Sequence, residues 1–193
     1  KMLFFDLWWK KQIDDKNAKR LIKEAGELAD YLRYKRLVAK YALTEPEEKI
    51  INTLDVTGIS ALVKIYDKIT NAFRYTVNLN GKKKIMSREE LTTLVRSKNP
   101  KIREAAYKSL LTKYQDNKGV IGQIYQNIAL NWKNEGIDMR GFGSPISIQN
   151  ISNDVDDKTI DVMLNVCKKN APIFQNYFKQ KAKRVGVKKL RRY

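Results

Sequence analysis

Four pairs of adjacent carboxylates, Asp14-Asp15, Glu47-Glu48, Glu89-Glu90 and Asp156-Asp157, are the residues whose type suits acid-base chemistry. Such chemistry needs both groups on one reacting atom, and neighbours on a helix point about 100° apart. Each pair also stands at the start of a predicted helix, where negative charge meets the positive end of the helix dipole. Capping therefore accounts for all four without catalysis. Histidine is absent, which removes the commonest general base, the commonest zinc ligand and every Ser-His or Cys-His nucleophile pair. The single cysteine, Cys167, has no partner for an intramolecular disulfide. It occupies an apolar helical position with Ile160, Met163 and Leu164, so burial is expected. No catalytic residue and no metal ligand is assigned.

The elements that would hold these residues are mostly helices. Asp14 and Asp15 open a run of Ala18, Leu21, Ile22, Ala25, Leu28, Ala29 and Leu32, spaced as one face of a single long amphipathic helix. Thr44 and Glu47 make a capping box with Pro46 in the first turn, and DVTGIS opens a second helix through Leu62, Ile65, Tyr66 and Ile69. Two helices in quick succession predict an antiparallel pair. The period then changes to two: Phe73, Tyr75, Val77 and Leu79 alternate with polar residues, and Asn80-Gly81 signals a type I′ turn. One small β-hairpin is expected near residues 73–86. Ser87 with Glu90, and Asn99 with Pro100, start further helices, and Gly119 and Gly122 mark a kink or break before the run ending at Trp132. IDMRGFGSPISIQNISNDV breaks the pattern and reads as an irregular loop. Two helices then follow, one over Ile160 to Lys169, the other begun by Asn170 with Pro172 in its first turn and ending near Gly186. The predicted fold is all-α: a multi-helix antiparallel array with one hairpin, residues 1–193 forming a single helical region whose subdivision into 1–98 and 99–193 stays open.

At 193 residues the chain can bury roughly 70% of its unfolded surface. No apolar run approaches the roughly 18 residues that span a bilayer, and MLFFDLWW is interrupted by Asp6, so no membrane partner is expected. Phe4, Phe5, Trp8 and Trp9 are expected to dock onto the helical core. The net charge of +18 raises nucleic acid as a partner, and the last 26 residues, from Lys168, hold ten lysines and arginines and no acid. Against it, Ile173, Phe174, Tyr177 and Phe178 fall at the spacing of a core stripe, and no zinc-finger, KH or RRM signature is present. A basic helical nucleic-acid-binding module is the alternative reading. A standalone adaptor with a peptide-holding wall is a third.

Five stretches occur in an order that resembles the leading part of the oligoendopeptidase F family: LWWKKQIDDKNAKRLI, LTEPEEKII followed by TGISALVKIYD, NPKIREAAYKSLL, RGFGSPISIQNISNDV and FKQKAKRVGVKKLRRY. The likeness runs from about Leu3 to Tyr193. It implies a cytoplasmic zinc metalloendopeptidase related to thimet oligopeptidase as the parent protein, with short peptides as substrate. This segment would be scaffold and channel wall. Zinc would belong to the catalytic carboxy-terminal part of the parent, where an H-E-x-x-H helix supplies two histidines and a water-activating glutamate. No family ligand or base carries over to a residue here. The resemblance further implies that the parent continues past Tyr193, so the basic tail is a cut end whose charge downstream acids offset. Arg140, Ser144 and Asn150 are the candidate channel residues, expected toward the concave side of the complete enzyme. Pairing of Arg140 with Asp138 or Asp154 is the structural alternative.

With one cysteine, no histidine and no convergent carboxylates, this chain alone should neither retain zinc nor hydrolyse peptides. Metal analysis after dialysis and a quenched-peptide assay check this. Stoichiometric zinc, or turnover abolished by a chelator, would contradict it.

Overall fold

Alternation of apolar and polar residues over Phe73–Leu79 produces one strand of the only sheet among the described residues. In the computed structural model, which describes residues 3–79 and 81–193 with all side chains except those of Leu3, Phe4 and Lys11, the order is α1 (Leu3–Lys11), α2 (Asp15–Glu24), α3 (Ala29–Val38), α4 (Glu45–Thr57), α5 (Ile59–Asn71), β1 (Tyr75–Leu79), β2 (Lys82–Met86), α6 (Arg88–Thr93), α7 (Pro100–Asp116), α8 (Lys118–Asn131), a π-helix (Trp132–Met139), α9 (Pro145–Ser152) and α10 (Asp157–Arg184). The expected all-α fold with one hairpin is observed. No described helix is long and apolar enough to cross a membrane. The chain forms two compact units, one of residues up to Val56 with Ala129–Asn170, the other of Thr57–Ile128 with Ala171–Tyr193.

In the first unit, α1 buries Trp9, whose indole N–H donates to the Leu32 carbonyl at 3.2 Å while the Arg36 guanidinium lies 6.0 Å from its ring centre. The aromatic segment thus docks on helix, as expected for Trp9; the Phe4 side chain lies outside the described residues. Asp14 caps α2 by accepting from the Asn17 amide at 2.9 Å. The helix predicted through Leu32 is interrupted, however, by a 3₁₀ turn over Gly26–Leu28, and Gly26 has φ +55°. A glycine in the left-handed region ends the α-ladder there, and Leu28 turns out to solvent.

In the second unit, β1 and β2 pair antiparallel with Tyr75 opposite Met86 and Leu79 opposite Lys82. The inward residues Phe73, Tyr75 and Val77 are buried and form one cluster with Leu91 and Ala106, flanked by Leu110 and Tyr114. Ser87 and Glu90 complete a reciprocal capping box on α6, and Asn99 caps α7 by accepting from the Lys101 amide at 2.9 Å. The break before α8 falls at Asn117; Gly119 and Gly122 lie inside the helix.

Three expectations about the last element are corrected. The two predicted helices are one, α10, with Pro172 inside it. Proline lacks an amide donor, but that removes one hydrogen bond and need not end a 28-residue helix. Cys167 is exposed, as are Val162, Met163 and Val166. Ile173, Phe174, Tyr177 and Phe178 do not line a core: Phe174 is 61% and Phe178 53% exposed. Helical spacing created these apolar faces, but among the described residues nothing covers them. The end near Gly186 is as expected: it has φ +72°, its amide donates to the Lys183 carbonyl and that of Val187 to Ala182, a Schellman closure.

Asn80 of the predicted turn lies outside the described residues, but Gly81 has φ +84°. Valine there meets the left-handed penalty, so Gly81→Val should destabilise the hairpin by about 1 kcal/mol. A urea titration of the variant, followed by loss of β1–β2 cross-strand contacts in NMR spectra, checks the value.

Candidate functional site

The densest polar constellation of the first unit centres on Arg140, held in place by the turn that ends the π-helix. There the Arg140 amide donates to the Glu135 carbonyl at 2.9 Å, five residues back, and Gly141 follows at φ +73°. The widened turn brings Phe142 back so that its amide reaches the Gly136 carbonyl at 3.0 Å. Gly136 is buried because α9 presses on it: a Cβ there would stand 2.2 Å from Ile148 Cδ1. So positioned, the guanidinium meets Glu48 of α4 through two parallel bonds, Nη1 to Oε1 at 2.7 Å and Nη2 to Oε2 at 3.1 Å. It also donates from Nε to Glu135 Oε1 at 2.9 Å and from Nη1 to the Tyr41 carbonyl at 3.2 Å. The Glu48 side chain is 7% exposed and that of Arg140 18%. Glu48 accepts from the Leu43 amide at 2.9 Å as well.

These contacts set the electrostatics. The Arg140 hydrogen bonds hold the Glu48 carboxyl below the ordinary carboxylate range despite burial, and Glu48 raises Arg140 in return. Asp55 is pushed up by burial, with the Glu135 charge adding to it. A guanidinium shared by two carboxylates is a fixed structural charge with every fork occupied, not a group poised to take or give a proton.

Ser144 and Asn150 belong to a second network. Ser144 caps α9, with Pro145 in the first turn, and its hydroxyl lies 2.7 Å from that of Ser147. Ser147 donates to Asp157 Oδ2 at 2.6 Å and Asn150 to Asp157 Oδ1 at 2.8 Å. Those two bonds lower the Asp157 carboxyl. Asp156 beside it caps α10, accepting from the Thr159 amide at 2.8 Å. The expected irregular loop is therefore largely helical, and Ser-Pro was the start signal that the flanking glycines obscured.

The three candidate residues thus divide. Ser144 and Asn150 meet through Ser147 and Asp157, while Arg140 stands in its own cluster and pairs with neither Asp138 nor Asp154. Asp138 binds Lys133 at 2.6 Å, and Asp154 adopts φ 54°. The residue missed in the sequence is Glu48. Its neighbour Glu47 bonds back to Thr44 as a cap does, at 2.8 Å to the amide, whereas Glu48 points inward. Its spacing to Ile51 and Asp55, three and seven residues on, was the available signal.

A cavity of about 380 Å³ adjoins this cluster, walled by α3, the π-helix and α9. Phe142 and Tyr41, which both line it, stack on each other with ring centres 3.8 Å apart. The chain's donor set does not fit a catalytic zinc ion: there is no histidine, and no group of three or more Cys, Asp and Glu side chains that could hold a metal occurs among the described residues.

Because Glu48 is lowered in the folded state, its contribution is fully present above the ordinary carboxylate value and is lost as pH falls through its lowered one. Glu48→Gln should cost about 2 kcal/mol at pH 7 by leaving the guanidinium half-paired, and the difference from the unsubstituted chain should shrink toward pH 3. Urea midpoints across that range measure it.

The matching family model is Oligopeptidase F, over residues 11–75. Oligoendopeptidase F, plasmid, of Lactococcus lactis subsp. cremoris is 26% identical over 177 residues, 87% of this chain but 29% of that one. An oligoendopeptidase F homolog of Borreliella burgdorferi is 26% identical over 155 residues, 80% of this chain and 25% of its own. Among solved structures, a putative peptidase from Chlamydophila abortus superposes with a TM-score of 0.79 at 12% identity, over 96% of this chain and 31% of that one. Oligoendopeptidase-F from Enterococcus faecium gives 0.77 at 19%, over 97% and 37%. The chain thus spans 25–37% of the length of these proteins. In sequence and in fold it resembles the amino-terminal portion of an oligoendopeptidase F family protein.

Proposed function

We propose that this chain is the helical scaffold and channel-wall segment of a cytoplasmic zinc metallo-oligoendopeptidase that hydrolyses short peptides. The observation that carries the reading is a match along nearly the whole chain to proteins about three times as long that are named oligoendopeptidase F. Zinc, its H-E-x-x-H helix and the water-activating glutamate belong to the remaining part of the parent polypeptide, and no chemical step falls to a residue here.

The exposed apolar residues support the same reading. Val162, Met163 and Val166 in one unit, and Phe174, Tyr177 and Phe178 in the other, are all more than half exposed. Patches of this kind mark surfaces that another part of a protein covers; here the cover is the catalytic part of the same parent. The segment of Arg140, Ser144 and Asn150 is the proposed peptide-facing wall. Their side chains are engaged within the chain, so they act by fixing backbone rather than by touching peptide. The nucleic-acid alternative has no geometric support beyond the basic composition of the tail.

The full-length parent should hydrolyse a quenched peptide, lose that activity to a chelator and regain it with zinc. It should also bind much less of a hydrophobic dye per mole than the 193-residue chain does. A parent without chelator-sensitive hydrolysis, or one whose dye binding equals that of the segment, would overturn the reading.

A further inference from the structure

The cavity beside Arg140 is built from side chains of the first unit, and its polar groups fall into two classes. The charged ones cancel inside the chain. Lys35 bridges both oxygens of Asp6, at 2.9 and 3.0 Å, and Arg140 holds Glu135. The Trp132 indole donates to the Pro145 carbonyl at 3.1 Å and the Tyr34 hydroxyl to Ser152 at 3.2 Å. Among the described residues that line the cavity, each charged side chain is thus ion-paired within the chain.

What remains open is neutral. Asn131 lines the cavity, and its side chain makes no capping hydrogen bond to the π-helix that it precedes. A primary amide offers one acceptor and two donors, the pattern complementary to a peptide bond. Around it stand Val38, Ala42, Ile148, Ile151 and Phe142. The volume of about 380 Å³ lies at the small end of the range for ligand sites.

We infer that this cavity is a binding site for a neutral apolar side chain carried on a peptide backbone, with Asn131 pairing to the backbone amide. The apolar wall selects the side chain, and the cancelled charges exclude acidic and basic ones. The site stands on its own geometry; that the bound peptide is a substrate segment rests on the proposed peptidase reading.

The test is an NMR titration of the 193-residue chain with N-acetyl-leucine methylamide, N-acetyl-phenylalanine methylamide and the corresponding aspartate and lysine derivatives. Saturable shifts at Asn131, Trp132, Ile148 and Ile151 are expected with the first two and at least fivefold weaker binding with the charged pair. Asn131→Leu should weaken leucine-derivative binding about fivefold with an unchanged melting temperature, and Asn131→Gln should restore part of it. Shifts confined to the exposed faces of α10, equal response to charged derivatives, or unaltered affinity in Asn131→Leu would overturn the inference. Repeating the titration on the full-length parent separates sources: binding lost there means the parent's own chain fills the cavity, which also overturns it. Peptide hydrolysis by the parent is measured separately, so failure of the peptidase reading and failure of the cavity remain distinguishable.

Discussion

The two-pronged contact between Arg140 and Glu48 closes a unit whose parts lie far apart in the chain. Residues up to Val56 and Ala129–Asn170 share that unit although all of 57–128 intervenes. Closing so long an excursion costs entropy, and directional contacts across it offset the cost while selecting one register. Arg140 reaches both Glu48 and the Tyr41 carbonyl, Phe142 stacks on Tyr41, and Tyr34 reaches the carbonyl of Ser152. A largely buried guanidinium is tolerable only when paired, so any arrangement that separates the segments strands a charge. The gain is more in specifying the arrangement than in net stability.

The rest of the first unit follows from placing that guanidinium. The π-turn widens the backbone so that Arg140 and Phe142 both face α4 and the residues before it, and the missing Cβ at Gly136 admits Ile148 of α9. With α9 so seated, Ser147 and Asn150 tie it to Asp157 at the start of α10. The cavity is the space these fixed pieces leave, which is why its charged groups are already satisfied. The second unit is held differently, by non-directional burial of Phe73, Tyr75, Val77, Leu91 and Ala106.

Much of the fold was legible in the residue order because it depends on neighbours within a few positions. Asp14, Ser87, Asn99 and Asp156 cap helices as their types dictate, the Phe73–Leu79 alternation makes a strand, and Gly81 and Gly186 take the left-handed conformations their positions require. Short-range signals also misled where two of them competed. The glycines around Ser144-Pro145 hid a helix start, Pro172 suggested a boundary that α10 passes through, and Gly26 broke a helix that the apolar period alone would continue.

What the sequence by itself determined is therefore the helical class with its one hairpin, the absence of histidine, and the family likeness. Tertiary structure alone decided which acids meet Arg140, since Glu48 is 92 positions away and the nearby acids offered were Asp138 and Asp154. It alone decided that the α10 stripe and Cys167 stay exposed. Periodicity creates an apolar face through backbone geometry, but burial needs a second surface, and which surface arrives is a property of the folded assembly.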